Sequence, residues 1–429
     1  GLLLGTLFGL PPSLINLPST SAVAGFLHVS ATLGFFLLWG WGLVFSLSRL
    51  NSLTDADQLQ VEDHEIQKVE KIDRRQFLIT LGASTATITL TGAGLGQLLT
   101  AGDKREGNQA AQNPSTLGPE GIPFPNAGDP VQPVPGTRAE YTPVEDHYQV
   151  FIETTPREIE EEEWSLPVTG LVENELDLTL QAIRNEFPAR NQYVTLSCIS
   201  GRIPTSLIST TYWTGVSLQH ILDQADLKEE ARYLFMEAAD GYYEILPIDL
   251  IYADPRIMLC YGWDGKPLPT EHGFPLRIWI PDRFGMKQPK WITRLEVTDQ
   301  YQPGYWVERG WDREALIKTR SVLDTVAVEE VFERDGEQLI PLGGIAFAGA
   351  RGISRVEVRV DDREWQSAQL RSPLSDTTWV IWRYEWPFQR GEHTFAVRCY
   401  DGEGTLQVLE RSDARPDGAT GLHSLNENF

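Results

Sequence analysis

The chain has 429 residues, of which 41% are hydrophobic and 10% aromatic. This length exceeds what one compact core usually holds, so we expect two folded domains beside any membrane segment. The formal net charge of −24 excludes nucleic acid as a partner, because such a surface repels a polyanion. The cysteines Cys198, Cys260 and Cys399 lie far apart, which argues against a zinc finger, a c-type haem and a disulfide framework.

Residues 1–105 are predicted to form a membrane anchor. The segment 26–48 gives 23 positions without Asp, Glu, Lys or Arg, enough for a helix to cross a hydrocarbon core of about 30 Å. A second transmembrane helix is expected at about 77–101. The apolar start at Gly1 suggests that an earlier helix precedes the given sequence.

An arginine pair, Arg74-Arg75, stands directly before the second predicted helix and is followed by Phe77-Leu78. This order suggests a twin-arginine export signal, and the alternative is an ordinary positive-inside flank of a helix. Both interpretations place residues 49–75 in the cytoplasm. The later part of the chain is then expected on the periplasmic side of a bacterial cytoplasmic membrane.

Four further segments follow the anchor. Residues 106–140 are rich in proline and predict an extended linker or a strap over the next domain. Short strands and helices, among them a helix at Thr179 to Phe187, predict an α+β domain at 141–320. From 321 to 412, alternation such as Val356, Val358 and Val360 against charged residues predicts a β-sandwich. Residues 413–429 are expected to form a tail.

Cys198 ends the predicted strand YVTLSC and is followed by Ile199-Ser200-Gly201-Arg202. A thiolate at the end of a rigid strand, with small residues and a cation behind it, suits a soft metal ligand. Taken alone, the same pattern fits a buried core cysteine.

The stretch 272–294 holds five basic residues and one acidic residue in a strongly acidic chain. A local inversion of charge is expected where something anionic binds, such as a phosphate or a substrate oxyanion. The alternative is a solvated basic face neutralised by neighbouring carboxylates.

Six motifs, in order, resemble the molybdopterin domain of the sulfite oxidase family, and the closest likeness is to its bacterial membrane-anchored branch. They are the strand ending in Cys198, Trp213-Thr214-Gly215-Val216, Ala239-Asp240-Gly241-Tyr242, Asp264 to Leu268, His272 to Arg277, and Lys290-Trp291. The resemblance covers residues 141 to 320, and the following sandwich looks like the family's immunoglobulin-like dimerisation domain.

The resemblance implies a role for each matching residue. Cys198 would be the thiolate ligand of molybdenum, with Arg202 beside it and Trp213 lining the same pocket. Tyr301 is the best match to the family's active-site tyrosine, with Tyr305 as the competing position. The residues implied in binding the pyranopterin and its phosphate are Asp240, His272, Arg277, Gln288, Pro289 and Lys290.

The implied reaction moves an oxygen atom to or from sulfur, with sulfite to sulfate as the main hypothesis. Two departures put sulfite in doubt: Gly201 stands where the family usually has Asn, and the substrate arginine of an N-terminal strand has no counterpart in Phe151 to Thr155. One alternative is reduction of an S-oxide of the methionine sulfoxide type on the same cofactor. Another is a cofactor-free, membrane-anchored binding protein. Since the chain carries no fused cytochrome, electrons would pass to a separate cytochrome or membrane redox protein, and a homodimer is expected.

Overall fold

The computed structural model describes residues 118–429. The predicted membrane helices at 26–48 and 77–101, and the arginine pair between them, lie outside the described residues. Within the described part of the chain, no helix combines the length and the apolar character needed to span a membrane.

Residues 118–429 contain four short α-helices: α1 Leu180–Glu186, α2 Leu218–Ala225, α3 Ile248–Ala253 and α4 Tyr305–Glu308. Helix α1 begins where the Thr179 side chain accepts a hydrogen bond from the Ala182 amide at 3.2 Å, which satisfies one of the free amides of the first turn. The sequence placed this helix at Thr179 to Phe187, and the structure confirms it to within one residue at each end.

The same residues form nineteen β-strands. In chain order they are β1 Ser165–Gly170, β2 Leu176–Thr179, β3 Ala189–Ser197, β4 Ile208–Ser217, β5 Tyr233–Ala238, β6 Tyr243–Pro247, β7 Met258–Trp263, β8 Lys266–Pro267, β9 Arg277–Trp279, β10 Ile292–Thr298, β11 Arg320–Val326, β12 Phe332–Arg334, β13 Glu337–Phe347, β14 Ile353–Val360, β15 Gln366–Ser367, β16 Gln369–Leu370, β17 Val380–Pro387, β18 Glu392–Asp401 and β19 His423–Asn428.

Two sheets and α1 to α3 build the first half of the described chain. One sheet has the order β2-β1-β10-β5-β6, with β1 and β10 parallel and the other pairs antiparallel. The other is antiparallel, with the order β3-β4-β7-β8, and β9 pairs with the first part of β7. Alternate residues of β5, Leu234, Met236 and Ala238, point inward, as expected for a strand with one buried face. Their core also takes the apolar side of α2.

The second half is a β-sandwich, as the alternation in the sequence predicts. One sheet runs β11-β13-β17-β16 with β12 on β13, and the other runs β15-β14-β18-β19. Val356, Val358 and Val360 are buried in the core between the sheets. A further apolar cluster joins the halves, because it contains Ile199 and Phe284 from the first and Phe347 from the sandwich. The end of β3 is therefore packed on both halves.

Residues 118–140, predicted as a linker or a strap over the next domain, are bound to the sandwich. Arg371 donates to the Glu140 carboxylate at 2.9 Å and to the Val131 carbonyl at 2.9 Å, and Arg138 pairs with Asp324 of β11 at 2.7 Å. This segment, called here the strap, therefore lies on the domain that comes last in the chain. It also contacts the first half, where Arg138 donates to the Thr205 carbonyl at 3.2 Å and Phe124 packs 6.1 Å from the Tyr193 ring.

The predicted tail at 413–429 is also part of the sandwich. Strand β19 pairs with β18 over Glu392 to Val397, and the Leu323 amide of β11 donates to His423 Nδ1 at 3.1 Å. These residues complete a sheet edge, a role that the polar composition of 423–428 does not reveal.

Candidate active site

Cys198 is the first residue after β3, as the sequence predicts, and its amide donates to the Leu207 carbonyl at 2.9 Å. Its side chain is 8% exposed, and Sγ lies 3.1 Å from Ser200 Oγ. At Gly201, where the resemblance leads one to expect Asn, an added Cβ would lie 2.5 Å from Thr205 Oγ1. The tight turn after Cys198 thus requires a residue without a side chain unless Thr205 moves.

A cavity of about 320 Å³ opens beside Cys198. It forms where the end of β3 meets the loops before β6, around β9 and around α4. Its lining residues are His147, Tyr148, Val150, Phe151, Ile152, Leu196, Cys198, Ile199, Ser200, Asp240, Tyr242, His272, Arg277, Gly285, Met286, Gln288, Pro289, Lys290, Trp306 and Trp311.

Positive charge lies at the cavity wall. Arg277 is 3% exposed, donates from Nη1 to the His272 carbonyl at 3.0 Å and lies 4.4 Å from the Trp213 ring. Burial lowers the pKa of Arg277 to about 10. Burial and then Arg277 lower the pKa of Lys290 to about 7. These two cations are the part of the predicted basic stretch that faces the cavity.

The other three basic residues of 272–294 are neutralised by carboxylates, which is the alternative that the composition left open. The pairs are Arg283 with Glu314 at 3.5 Å, Lys287 with Glu244 at 2.6 Å and Arg294 with Glu237 at 2.9 Å. Charge counting along the sequence therefore overstated the free positive charge.

Two histidines stand at the same wall in their neutral form. The rings of His147 and His272 are 5.0 Å apart. Burial, followed by Arg277 and Lys290, lowers the pKa of His272 to about 3, and burial with the nearby His272 lowers the pKa of His147 well below its usual value. Neutral imidazoles can accept or donate one hydrogen bond each, according to the tautomer.

Several buried polar atoms around the cavity have no hydrogen-bond partner within residues 118–429. They are His147 Nδ1, Tyr148 Oη, His272 Nε2, Arg277 Nε and Gln288 Oε1. Buried polar atoms are normally satisfied. Their convergence on one cavity indicates a polar ligand with both donors and acceptors.

Asp240, Gln288 and Pro289 are placed by local backbone contacts. The Asp240 carboxylate accepts from the Tyr242 amide at 3.0 Å, and burial raises the pKa of Asp240. Gln288 donates to the Arg283 carbonyl at 2.8 Å, which leaves its carbonyl oxygen free. The structure thus brings seven sequence-predicted residues together at one cavity: Cys198, Asp240, His272, Arg277, Gln288, Pro289 and Lys290.

Three predicted site residues are not at the cavity wall. Arg202 is exposed, and Trp213 is fully buried behind Arg277. Tyr301 is 37% exposed and packs on the Tyr233 ring at 5.6 Å. The resemblance placed Tyr301 by a shifted match, and the chain there is a surface segment.

Several residues of the cavity wall were not predicted from the sequence, chiefly His147, Tyr148, Phe151, Trp306 and Trp311. The ring pair Trp306 and Trp311, 6.5 Å apart, lies just after Tyr301, in the segment where the expected aromatic was sought. The aromatic residues at 301–311 were the sequence signal for this wall. Which of them face the cavity depends on the turn that α4 makes, which the sequence does not show.

The geometry agrees with what comparison of the chain with known proteins finds. Residues 152–306 match the family model described as "Oxidoreductase molybdopterin binding domain". The uncharacterized oxidoreductase YuiH of Bacillus subtilis (strain 168) is 32% identical over 148 residues, which cover 34% of this chain and 72% of that protein. The human mitochondrial sulfite oxidase is 27% identical over 267 residues, which cover 52% of this chain and 49% of that protein.

Two further likenesses are found. The NADPH nitrate reductase of Fusarium oxysporum is 27% identical over 261 residues, 50% of this chain and 29% of that protein. The crystal structure of the sulfane dehydrogenase SoxCD from Paracoccus pantotrophus has a TM-score of 0.54 at 20% identity, over 64% of this chain and 79% of that chain, which shows a likeness of fold. The chain thus spans about half of the sulfite oxidase and under a third of the nitrate reductase.

The chain belongs to the sulfite oxidase family of molybdopterin-dependent oxidoreductases. It is an oxidoreductase, and molybdenum with molybdopterin is its cofactor. The predicted enzyme class and cofactor are therefore confirmed, and the alternative of a cofactor-free binding protein is wrong.

The residues present fit this cofactor. A pterin offers several hydrogen-bond donors and acceptors, which match the unpartnered atoms of His272, Arg277 and Gln288. Its phosphate requires positive charge, which Arg277 and Lys290 provide. Cys198 offers a thiol at the cavity wall.

Proposed function

We propose that the chain oxidises sulfite to sulfate. Water supplies the oxygen, two protons are released, and two electrons pass to a separate acceptor protein such as a cytochrome. The observation that carries the proposal of an anionic substrate is the charge of the cavity. Its lining contains Arg277 and Lys290 but only one carboxylate, that of Asp240, although the whole chain has a net charge of −24.

In this proposal Cys198 is the protein ligand of molybdenum, and the residues around β9 hold the pterin. When bound, the molybdenum centre supplies two-electron oxygen-atom transfer. The chain's own contribution is to orient the cofactor through His272, Arg277 and Gln288. Arg277 and Lys290 also offset the negative charge of the groups that enter the cavity.

The test is metal analysis combined with sulfite-dependent reduction of an artificial acceptor. Cys198→Ser is expected to abolish turnover, because the thiolate ligand is lost. Cys399→Ala is the control, since Cys399 is also a buried cysteine but belongs to the sandwich core. Turnover with sulfite in Cys198→Ser would refute the assignment of the metal ligand.

Reduction of an S-oxide is the second candidate, and the aromatic part of the cavity favours it. Phe151, Trp306 and Trp311 form an apolar wall, and the exposed position of Arg202 removes the cation that the resemblance placed beside Cys198. An apolar wall of this kind suits the side chain of methionine sulfoxide better than a sulfur oxyanion.

One pair of assays separates the two candidates. The sulfite oxidation proposal requires acceptor reduction that depends on sulfite. The S-oxide proposal requires oxidation of a reduced dye that depends on methionine sulfoxide. Molybdenum near one atom per chain with activity only in the second assay would overturn the sulfite proposal while leaving the family membership intact.

The proposal also covers the location and the oligomeric state of the protein. The chain is anchored in a bacterial cytoplasmic membrane by the helices predicted at about 26–48 and 77–101, with the catalytic domain at 141–320 on the periplasmic side. The sandwich at 321–412 forms a homodimer. Membrane fractionation with protease protection, and the mass of the detergent-solubilised protein, test these points.

A further inference from the structure

Arg320, the first residue of β11, carries a buried guanidinium and is not among the site residues predicted from the sequence. Its side chain is 1% exposed. Nε donates weakly to the Lys318 carbonyl at 3.4 Å, and the guanidinium lies 5.2 Å from the centre of the Phe284 ring. Neither Nη1 nor Nη2 has a hydrogen-bond partner within residues 118–429.

The surroundings of Arg320 contain no compensating carboxylate among the groups that act on it. Those groups are Cys198, Tyr148, Cys399 and Arg138, and burial lowers the pKa of Arg320 to about 10. Asp324 of the same strand is already paired with Arg138 at 2.7 Å. Arg320 is thus a cation at neutral pH, and a buried cation without a partner is unfavourable unless an anion joins it.

Phe284 and Gly285 link Arg320 to the end of β3. A Cβ at Gly285 would lie 3.6 Å from the Ser197 carbonyl oxygen and 3.6 Å from Tyr148 Oη, and Ser197 directly precedes Cys198. Phe284, whose ring faces the guanidinium, is the neighbour of Gly285. Arg320 is absent from the cavity lining, whereas Cys198 is part of it. Phe284 also shares an apolar cluster with Ile199, the residue after Cys198. Arg320 therefore lies in the packed interior beside the segment that carries Cys198, outside the cavity lining.

We propose that Arg320 is a positioning residue that the sandwich supplies to the metal site, where its fixed charge acts on the Cys198 sulfur and on the metal bound to it. This inference rests on the proposal that Cys198 is the metal ligand, and it holds for either substrate. A positive charge in the outer shell of a redox centre stabilises the reduced form, which carries one more negative charge. Arg320 thus raises the reduction potential.

The experiment measures the reduction potential of molybdenum by a redox titration followed through the Mo(V) electron paramagnetic resonance signal. Arg320→Met removes the charge at similar volume, and Arg320→Lys keeps it. We expect Arg320→Met to shift the oxidised-to-reduced equilibrium at least tenfold toward the oxidised form, which corresponds to a potential lower by about 59 mV for a one-electron couple. Arg320→Lys is expected to stay within threefold of the wild type.

Three controls make the outcome decisive. Unchanged potentials in Arg320→Met overturn the inference, as does a change confined to the KM for sulfite, which would make Arg320 a substrate-binding residue. If Arg320→Met does not fold, Arg320→Gln is measured instead and the same lowering is required. An unchanged Mo(V) signal in Cys198→Ser would instead show that Cys198 is not the metal ligand. Reduction by dithionite keeps the titration independent of the true substrate.

Discussion

Replacing Lys290 with Met should stabilise the cofactor-free protein at low pH and weaken its hold on the cofactor. The Lys290 amine lies 4.7 Å from the Phe151 ring and 4.5 Å from the Trp291 ring, and donates to the Glu271 carbonyl at 3.0 Å. Burial and the charge of Arg277 lower the pKa of Lys290 from 10.5 to about 7. In the cofactor-free protein, burial thus disfavours the charge on Lys290 that the cofactor's phosphate would use.

The sign and size of the effect follow from proton linkage. Between pH 7 and pH 10.5 the unfolded chain binds a proton at Lys290 that the folded chain does not, so stability rises with pH in that window. From pH 6 to pH 9 these two pKa values give a gain of about 2.7 kcal/mol in the free energy of unfolding. This is an upper limit, because Lys290 is partly exposed and solvent screens its charge.

Urea unfolding of cofactor-free protein at pH 6, 7.5 and 9 measures this gain. Lys290→Met should flatten the pH dependence by up to about 2.7 kcal/mol, and its molybdenum content after expression with the cofactor should fall. Lys266→Met is the control, since Lys266 is exposed and should leave the profile unchanged. Parallel profiles for wild type and Lys290→Met would refute the reasoning.

Three further predictions concern the strap and the cavity wall. Arg371→Met leaves the buried Glu140 carboxylate without its ion pair and should lower the free energy of unfolding by about 3–5 kcal/mol; urea unfolding measures the loss, and Glu140→Gln in the same chain should recover part of it. Gly273→Ala places a Cβ 3.0 Å from Lys290 Cβ at a φ of +112°, so it should cost about 1–3 kcal/mol and reduce the molybdenum content; equal content in the variant would contradict this. The pKa of His272 near 3 keeps its ring neutral above pH 5, and an imidazole NMR titration that shows protonation of His272 near pH 6.5 would contradict it.

Residue type and periodicity predicted many of the strands and helices, because neighbouring residues in the sequence largely determine secondary structure. The strand that ends before Cys198 and the alternation in β14 follow from residue type and period alone. The path of residues 118–140 could not be predicted, because it depends on Arg371, more than 230 positions later in the sequence. No motif in or beside the strap indicates that Arg371 is its partner.

The candidate site was predictable where one motif carries the residue and unpredictable where tertiary packing does. His272, Arg277 and Lys290 lie within one basic stretch and converge on the cavity. In the sequence, Arg320 has no feature that distinguishes it from the first residue of any strand. Only the packing of both halves around Phe284 brings it near the segment that carries Cys198. The sequence shows which side chains are basic and could bind an anion. It does not show which of them are already paired with a carboxylate.

The strap also sets an order of events during synthesis. Asn126 and Glu140 can form their hydrogen bonds with Arg371 only after Arg371 has been synthesised, which is 245 and 231 residues later respectively. Contacts this distant in sequence form slowly, since a long loop must close first. The strap is therefore expected to dock last, after the sandwich has formed. A protease that cuts within residues 118–140 of the nascent chain but not of the finished protein would report the moment at which the molecule is complete.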